Sequence, residues 1–164
     1  MARTAFVITV SDGVSSGTRA DKSGEALETL LSDVGFEVRR MVVPDEIPAI
    51  VTAISESARE AGLIVTTGGT GFGPRDVTPE ATVQILEREA PGLTHMMMAR
   101  GLESTAMAGL SRARAGSIGS TLVVNVPGSS KGAVESLEAI LHVIPHALDL
   151  LSGDTEHRGS TGIG

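Results

Sequence analysis

The sequence predicts an α/β fold in which helices pack against a mostly parallel sheet. Short apolar runs that suit strands alternate with longer amphipathic runs that suit helices through residues 5–67. Successive parallel strands need right-handed crossover connections, and these place helices against the sheet. Two later strand-like runs, 112–118 and 121–126, flank Gly119-Ser120, a two-residue loop suited to a hairpin. One strand is therefore expected to run antiparallel to the others.

The first half of the chain predicts three strands and two helices. The strands are the short apolar runs at residues 5–10, 38–43 and 63–67. One helix is expected to begin at Ser23 and stop at Gly35, and the next to begin at Ile47 and close before Gly62, because apolar residues recur there at intervals of three and four.

The second half predicts three further helices. Thr78 is expected to cap the first, with Pro79 at its first position, and Pro91-Gly92 is expected to end it. A second helix is expected over residues 93–103. The last follows Pro127-Gly128 and extends to Leu151, with a kink at Pro145.

Length and composition predict a single domain. The chain has 164 residues, 41% of them hydrophobic, which suffices for one buried core and is too short for two comfortable ones. The domain is expected over residues 1–152. Residues 153–164 are rich in Gly, Ser and Thr without periodicity, so a flexible C-terminal tail is expected there.

Composition also excludes several classes of function. A net charge of −7 and only three aromatic residues, all Phe, argue against nucleic acid as a partner. The absence of cysteine excludes disulfides, thiolate metal sites and a cysteine nucleophile. There is no cleavable leader pattern and no run of ~18 apolar residues, so no membrane association and a cytoplasmic location are expected.

The strongest local feature is the glycine-rich stretch 66–76, Thr-Thr-Gly-Gly-Thr-Gly-Phe-Gly-Pro-Arg-Asp, between the third strand and the following helix. Ligands of open α/β sheets bind at the carboxyl ends of strands, and glycines let backbone N–H groups converge on an anion there. The stretch lacks the Lys-Ser/Thr of a P-loop and the G-x-G-x-x-G spacing. On glycine content alone, a tight strand-to-helix turn explains it equally well.

Acidic residues near this stretch suggest a magnesium site. Arg75 and Asp76 offer a cation for phosphate and a carboxylate for Mg²⁺, and Asp45 ends the second strand at the same edge. Two converging carboxylates can ligate Mg²⁺ together with substrate phosphates. As alternatives, Asp45 is a helix N-cap, and Arg75 forms a salt bridge with Asp76 or Glu80.

A third loop, residues 125–131, leaves the last strand and enters the final helix in the same way. It should lie on the same edge, where it would accept a phosphate or a polar ring. A Pro-Gly turn followed by a serine cap explains most of it as well.

Taken together, these stretches resemble the MogA/MoaB family, which includes the G domains of gephyrin and of the plant molybdenum insertase. The runs 67–71 and 75–82 look like the central signature of that family almost residue for residue. Supporting matches occur at 11–12, 21–24, 44–46, 110–112, 115–116 and 125–129. The resemblance spans roughly residues 5–153.

The resemblance implies a three-layer α/β/α domain, usually a homotrimer, that uses Mg²⁺ and ATP to adenylylate molybdopterin with release of pyrophosphate. It implies that Asp45 and Asp76 are the catalytic carboxylates and hold the metal. Nucleotide phosphates would bind at Gly68, Gly69, Thr70 and Gly71. The pterin would bind at Ser111, Asn125, Gly128 and Ser129. A transient contact with the molybdenum-insertion protein is also implied.

Two rival functions remain beside the adenylyltransferase. One is a non-catalytic molybdopterin-binding or scaffold paralogue of the MoaB type, and the other is a nucleotide-cleaving enzyme on the same fold. The sequence departs from the family at Ser130 and Gly132, where Pro and Ala are common. This departure affects the contacts of the third loop and leaves the central signature intact.

Overall fold

The computed structural model describes residues 3–154. The predicted tail, 153–164, lies outside the described residues except for its first two positions.

The sheet has six strands in the order β2-β1-β3-β6-β5-β4. They are β1 (Thr4–Val10), β2 (Glu37–Val43), β3 (Leu63–Thr67), β4 (Arg88–Glu89), β5 (Ala115–Ile118) and β6 (Thr121–Val126). The pairs β1/β2, β1/β3 and β3/β6 are parallel, whereas β5 is antiparallel to both β4 and β6. The prediction of a mostly parallel sheet with one antiparallel hairpin strand is therefore confirmed.

Helices cover both faces of this sheet. They are α1 (Asp12–Ser15), α2 (Lys22–Asp33), α3 (Ile47–Ser57), α4 (Thr78–Val83), α5 (Pro91–Ser104), α6 (Ser130–Leu141) and α7 (Ile144–Leu151), with a 3₁₀ turn at Ala106–Leu110. Successive strand residues point to opposite faces, so Ala5 and Val7 pack with α2, α6 and α7, whereas Phe6 and Ile8 pack with α3 and α4. The expected three-layer α/β/α arrangement is the result.

The region between β3 and α5 differs from the prediction. The helix after the glycine stretch ends at Val83 instead of Pro91-Gly92, and Pro91 begins α5. Val77, not Thr78, is the N-cap of α4. The buried Thr78 hydroxyl instead donates to the Gly68 carbonyl at 2.9 Å, so this threonine secures the loop and not the helix end.

The last helical region is two helices, α6 and α7, where a single kinked helix was predicted. The break falls before Pro145, which occupies the first turn of α7, where a missing N–H costs no hydrogen bond. No helix within residues 3–154 is both long and apolar enough to cross a membrane.

Candidate functional site

The carboxyl ends of β1, β2, β3 and β6 meet at one edge of the sheet and surround a hollow of about 630 Å³. We call it the polar hollow. Its lining includes Arg19, Lys22, Ser23, Asp45, Gly68, Gly69, Asp76, Gly128 and Ser129. Residues from four separate loops are thus brought to one point, as the strand order requires.

Gly68 and Gly69 turn the chain sharply at the floor of the polar hollow. Their φ angles are +99° and +69°, values that residues other than glycine rarely adopt. A Cβ on Gly68 would lie 2.4 Å from the Val10 carbonyl oxygen, and one on Gly69 would lie 3.3 Å from Oδ1 of Asp45. The glycines therefore serve as a tight turn and also let the loop approach Asp45.

Asp45 is fixed by a reciprocal pair of hydrogen bonds with Asp12. The Asp12 N–H donates to Oδ2 of Asp45 at 2.8 Å, and the Asp45 N–H donates to Oδ1 of Asp12 at 3.0 Å. Glu46, and not Asp45, occupies the N-cap position of α3. Asp45 therefore does not cap the helix, and its carboxylate faces the polar hollow.

Electrostatics distinguish the two paired aspartates. Partial burial raises the pKa of Asp45, and the neighbouring carboxylates of Asp12 and Asp76 raise it further. The pKa of Asp12 is lowered, chiefly by hydrogen bonds from the Arg75 side chain and then from the Asp45 backbone. The Asp12 N–H and the charge of Arg75 oppose the rise in the pKa of Asp45, and a cation bound in the hollow would oppose it further.

Asp76 lines the same hollow and is held by its own loop. The Gly73 N–H donates to its Oδ2 at 2.7 Å. Within residues 3–154, Oδ1 of Asp76 and Oδ1 of Asp45 make no hydrogen bond. Over the same residues, no three acidic or histidine side chains form a ready-made metal cluster. A metal bound here would take its remaining ligands from water or from the substrate.

Arg75 pairs with neither partner considered from the sequence. Its Nε and one terminal nitrogen donate to the two oxygens of Asp12 at 2.9 and 3.1 Å, and Glu46 lies 3.9 Å away. Glu80 is paired with Arg112 instead. Arg75 therefore supports Asp45 indirectly, through Asp12.

Arg112 belongs to the 110–112 match with the family and was given no role from the sequence, but it anchors the glycine loop. Its Nε donates to the Gly71 carbonyl at 2.7 Å and a terminal nitrogen donates to the Asp76 carbonyl at 2.9 Å. Its guanidinium also lies over the Phe72 ring, 5.3 Å from the centroid. These contacts hold Gly71, Phe72 and Asp76 in place.

A second cavity, of about 280 Å³, lies on the other side of the glycine loop, between α5, the 3₁₀ turn and α6. We call it the apolar cavity. Its apolar lining includes Met97, Met98, Met107, Leu110 and Ala113. Thr70, Gly71, Ser111, Asn125 and Ser129 also border it. It has the mostly apolar wall and few polar groups that suit a flat organic ring.

The two cavities divide the predicted binding residues differently from the sequence-based grouping. Gly68, Gly69 and Gly128 border the polar hollow, whereas Thr70 and Gly71 border the apolar cavity with Ser111 and Asn125. Ser129 borders both. The loops that follow β3 and β6 therefore each contribute residues to both cavities.

Hydrogen bonds give two of these residues structural tasks. Asn125 has no exposed surface, and its amide donates to the hydroxyls of Thr66 and Thr82 at 2.8 and 3.1 Å. Its side chain ties β6 to β3 and α4 and has no free donor for a ligand. The Ser129 hydroxyl accepts from the Gly132 N–H at 3.1 Å and so caps α6, as the structural alternative for this loop predicted.

Other residues of the polar hollow were missed as candidates. Arg19 and Lys22 line it beside Ser23, all from the segment between β1 and the first turn of α2. Asp12 follows β1 as Asp45 follows β2, and that position at a strand end is the signal that would have found it. Arg19 carried no such signal, because it lies in an irregular loop.

Comparisons with known proteins agree on a single family. The family model described as a probable molybdopterin binding domain matches residues 6–146. A solved structure of the molybdopterin biosynthesis enzyme MoaB from Thermus thermophilus is 48% identical with a TM-score of 0.86, and the match covers 92% of this chain and 97% of that one.

Two curated relatives extend this likeness to named proteins. The Drosophila melanogaster molybdenum cofactor synthesis protein cinnamon is 40% identical over 90% of this chain and 25% of its own length. A molybdopterin adenylyltransferase from Helicobacter pylori is 37% identical over 90% of this chain and 87% of its own length. The chain spans 22% to 49% of the length of three curated relatives, cinnamon among them.

Proposed function

The chain belongs to the family of probable molybdopterin binding domains, and we propose that it is an Mg-ATP-dependent molybdopterin adenylyltransferase of molybdenum cofactor biosynthesis. The observation that carries this proposal is that Asp45 and Asp76 line one hollow with Gly68 and Gly69. The name of the Helicobacter relative, which this chain matches over most of its length, supports the same reaction.

Magnesium fits the two carboxylates. Each has one oxygen held by a backbone N–H and a second, Oδ1, that makes no hydrogen bond within residues 3–154. Mg²⁺ prefers oxygen ligands and is usually held by one or two carboxylates plus substrate phosphates. When bound, the ion would neutralise charge on those phosphates. A bound cation would also favour the ionised form of Asp45, whose pKa is raised chiefly by partial burial.

The chain's own residues have a positioning task in this reaction. A terminal phosphate oxygen of molybdopterin forms a bond to the α-phosphorus of ATP, the bond to the bridging oxygen breaks, and pyrophosphate leaves with the electron pair. The attacking phosphate is already an anion, so no protein base has to remove a proton. Alignment and charge neutralisation then carry the rate, which suits a site built from backbone N–H groups, hydroxyls and two carboxylates.

We place the nucleotide phosphates in the polar hollow against Gly68, Gly69 and Gly128, and the pterin ring in the apolar cavity against Ser111. Thr70 and Gly71 would then contact the pterin and not the phosphates. Ser129 borders both cavities and would lie where the two substrates meet. Asn125 would hold the wall of the pterin site without touching the ring.

Transfer of label tests this function directly. Purified protein is incubated with molybdopterin, Mg²⁺ and ATP labelled at the α-phosphate. Label is expected on the pterin in equal amount to the pyrophosphate released. Label at the γ-phosphate should leave with pyrophosphate, and EDTA should abolish both products. Tight pterin binding with no transfer of the α-label would refute the proposal.

That last outcome would favour a second candidate, a MoaB-type protein that binds molybdopterin without turning over ATP. The 48% identity to the MoaB structure is the observation in its favour. ATP consumption without pterin would instead indicate a nucleotide-cleaving enzyme. The two candidates share the pterin site and differ in whether Asp45 and Asp76 are needed.

We also propose a homotrimer, as the family resemblance implies. Leu102, Met107 and Leu110 expose about half or more of their surface near the apolar cavity, and a subunit interface would cover such side chains. Light scattering on the purified chain tests this. A cytoplasmic location and a transient contact with the molybdenum-insertion protein stay predictions.

A further inference from the structure

The geometry points to a separate oxyanion subsite in the polar hollow, formed by Arg19, Lys22 and Ser23 together with the start of α6, which binds a phosphate group of a substrate. The subsite extends the proposed function, because it names the part of the hollow that receives phosphate charge. It lies on the wall built by the β1–α2 segment and by Ser129 and Ser130.

Two cations of this wall have no partner. Arg19 and Lys22 are exposed, and within residues 3–154 neither side chain forms a salt bridge or a hydrogen bond. Most arginines of this acidic protein are paired with carboxylates. Two unpaired cations on one wall of the hollow therefore offer their positive charge to an anionic ligand.

Asp21 lies between these two cations in the sequence but pairs with neither, because its carboxylate is bound by other groups. Its Oδ1 accepts from the Thr9 hydroxyl at 2.8 Å and from the Gly24 N–H at 3.1 Å. Its Oδ2 is paired with Arg40 at 2.7 Å. Asp21 thus holds the first turn of α2 in place and leaves Lys22 free for a ligand.

Ser23 is a second observation, independent of the two cations, that favours a ligand in the hollow. The residue is only 6% exposed and lines the hollow, and its hydroxyl makes no hydrogen bond within the described residues. No fully buried side-chain nitrogen or oxygen of residues 3–154 lacks a partner, so the Ser23 hydroxyl keeps part of its surface open to the hollow. A phosphate oxygen in the hollow would provide its partner.

Two long helices begin at the same wall. Lys22 and Ser23 form the first turn of α2, and Ser129 and Ser130 begin α6; each helix has 12 residues. The N-terminal turns of helices carry partial positive charge and favour phosphate. Cations, a free hydroxyl and two helix starts therefore face the hollow that Asp45 and Asp76 border. This arrangement separates a phosphate-binding wall from a cation-binding wall.

Calorimetric titration of the full chain tests the subsite with two ligands, inorganic pyrophosphate with Mg²⁺ and molybdopterin without ATP. The variants are Arg19→Gln/Lys22→Gln, which removes both charges, and Ser23→Ala, which removes only the hydroxyl. Arg59→Gln is the matched control, because Arg59 is also exposed and forms no salt bridge within residues 3–154 but lies after α3, at the other edge of the sheet. Thermal unfolding of each variant verifies that it is folded.

The double variant is expected to bind one of the two ligands at least about tenfold more weakly, and Ser23→Ala about threefold more weakly, with the control unchanged. A loss confined to pyrophosphate identifies the nucleotide as the source of the phosphate, and a loss confined to molybdopterin identifies the pterin. If both ligands bind the double variant as tightly as they bind Arg59→Gln, the subsite does not exist. Because pyrophosphate binding needs no turnover, a protein that passes this test but transfers no adenylyl group keeps the subsite and loses the proposed function.

Discussion

The polar hollow and the apolar cavity share the glycine loop as a wall but are built on opposite principles. In the polar hollow, Asp45 and Asp76 are each held by a backbone N–H, and glycines let the loop come within contact of Asp45. In the apolar cavity, the walls are flexible methionines and a short 3₁₀ turn. Fixed dipoles and charges suit a reaction in which charge moves, whereas methionines adapt to the shape of a ring.

This contrast predicts different kinetic effects for substitutions in the two cavities. If the reacting phosphates bind in the polar hollow, as proposed, changes there should lower kcat. If the pterin binds in the apolar cavity, changes there should raise KM for the pterin.

The largest effect is expected from Asp76→Asn. Removing this carboxylate should lower kcat for adenylyl transfer by about 10²- to 10³-fold, in the range seen when one electrostatic group of an active site is lost. The affinity for molybdopterin should change little, because Asp76 does not border the apolar cavity. Steady-state kinetics and pterin titration on the same preparation measure both quantities.

Glu56→Gln is the matched control, since Glu56 is an exposed carboxylate on α3 outside both cavities. A drop in kcat of less than threefold for Asp76→Asn would remove Asp76 from the catalytic set. A loss of pterin affinity as large as the loss of kcat would contradict the proposed division of the substrates between the two cavities.

The second effect is expected from Ala113→Leu, which adds volume to the apolar cavity. KM for molybdopterin should rise about tenfold or more, because a pocket of this kind discriminates strongly by shape. Both kcat at saturating pterin and the binding of pyrophosphate should stay near the wild-type values. Kinetics with varied pterin measure this.

Ala99→Leu makes the same change on an exposed face of α5 that lines neither cavity. It should leave KM unaltered. If Ala113→Leu affects pyrophosphate binding as much as pterin binding, the pterin does not occupy the apolar cavity.

The third effect is expected from Arg75→Ala and is smaller, because Arg75 acts through Asp12. Losing the two hydrogen bonds to Asp12 should loosen the Asp12–Asp45 pair, lower kcat about tenfold and raise the Mg²⁺ concentration needed for half-maximal rate. Asp12→Asn should behave similarly. Rates measured over a range of Mg²⁺ concentrations provide the test.

Arg39→Ala serves as the comparison, because it breaks the exposed Arg39–Glu60 pair away from the hollow. A Mg²⁺ requirement that stays at the wild-type value in Arg75→Ala would show that Arg75 does not position Asp45.

The convergence of Asp45, Asp76 and the glycine loop was predictable because it depends on topology alone. Three short apolar runs at regular intervals indicated parallel strands, and parallel strands end at one edge. The structure confirms that β1 is parallel to both β2 and β3. The shared edge of Asp45, Asp76 and the glycine loop depends on neither dihedral angles nor side-chain partners.

The partners of individual side chains were not predictable, since they depend on contacts between distant segments. Arg75 lies next to Asp76 in sequence but bonds to Asp12, 63 residues away. Threonine is a residue type that often caps helices, yet the Thr78 hydroxyl donates a hydrogen bond to the Gly68 carbonyl. Pro145 indicated a kink, but a proline in the first turn equally suits the start of a new helix, and the break before α7 is what the structure has. Local propensity could not decide between these pairs of outcomes.

The smallest effect is on stability, and it follows from the raised pKa of Asp45. A carboxyl whose pKa is higher in the folded than in the unfolded chain binds protons more tightly when folded. Ionisation of Asp45 therefore lowers the stability of the folded protein. The loss begins as the pH rises through the pKa of the unfolded chain, ~3.9, and is complete above the pKa of the folded protein. Asp45→Asn cannot ionise, and its amide oxygen can still accept from the Asp12 N–H.

Asp45→Asn should consequently have a higher Tm than the wild-type protein at pH 7 in the absence of ligand and metal, although it is expected to lose adenylyl transfer. The difference should shrink as the pH falls towards 3.5, because the wild-type carboxyl is then protonated as well. Thermal unfolding followed by circular dichroism at both pH values measures the difference, with Asp154→Asn, an exposed position after α7, as the control. A lower Tm for Asp45→Asn at pH 7 would mean that the charged carboxylate stabilises the fold. Asp45 would then have a structural role that requires no bound cation.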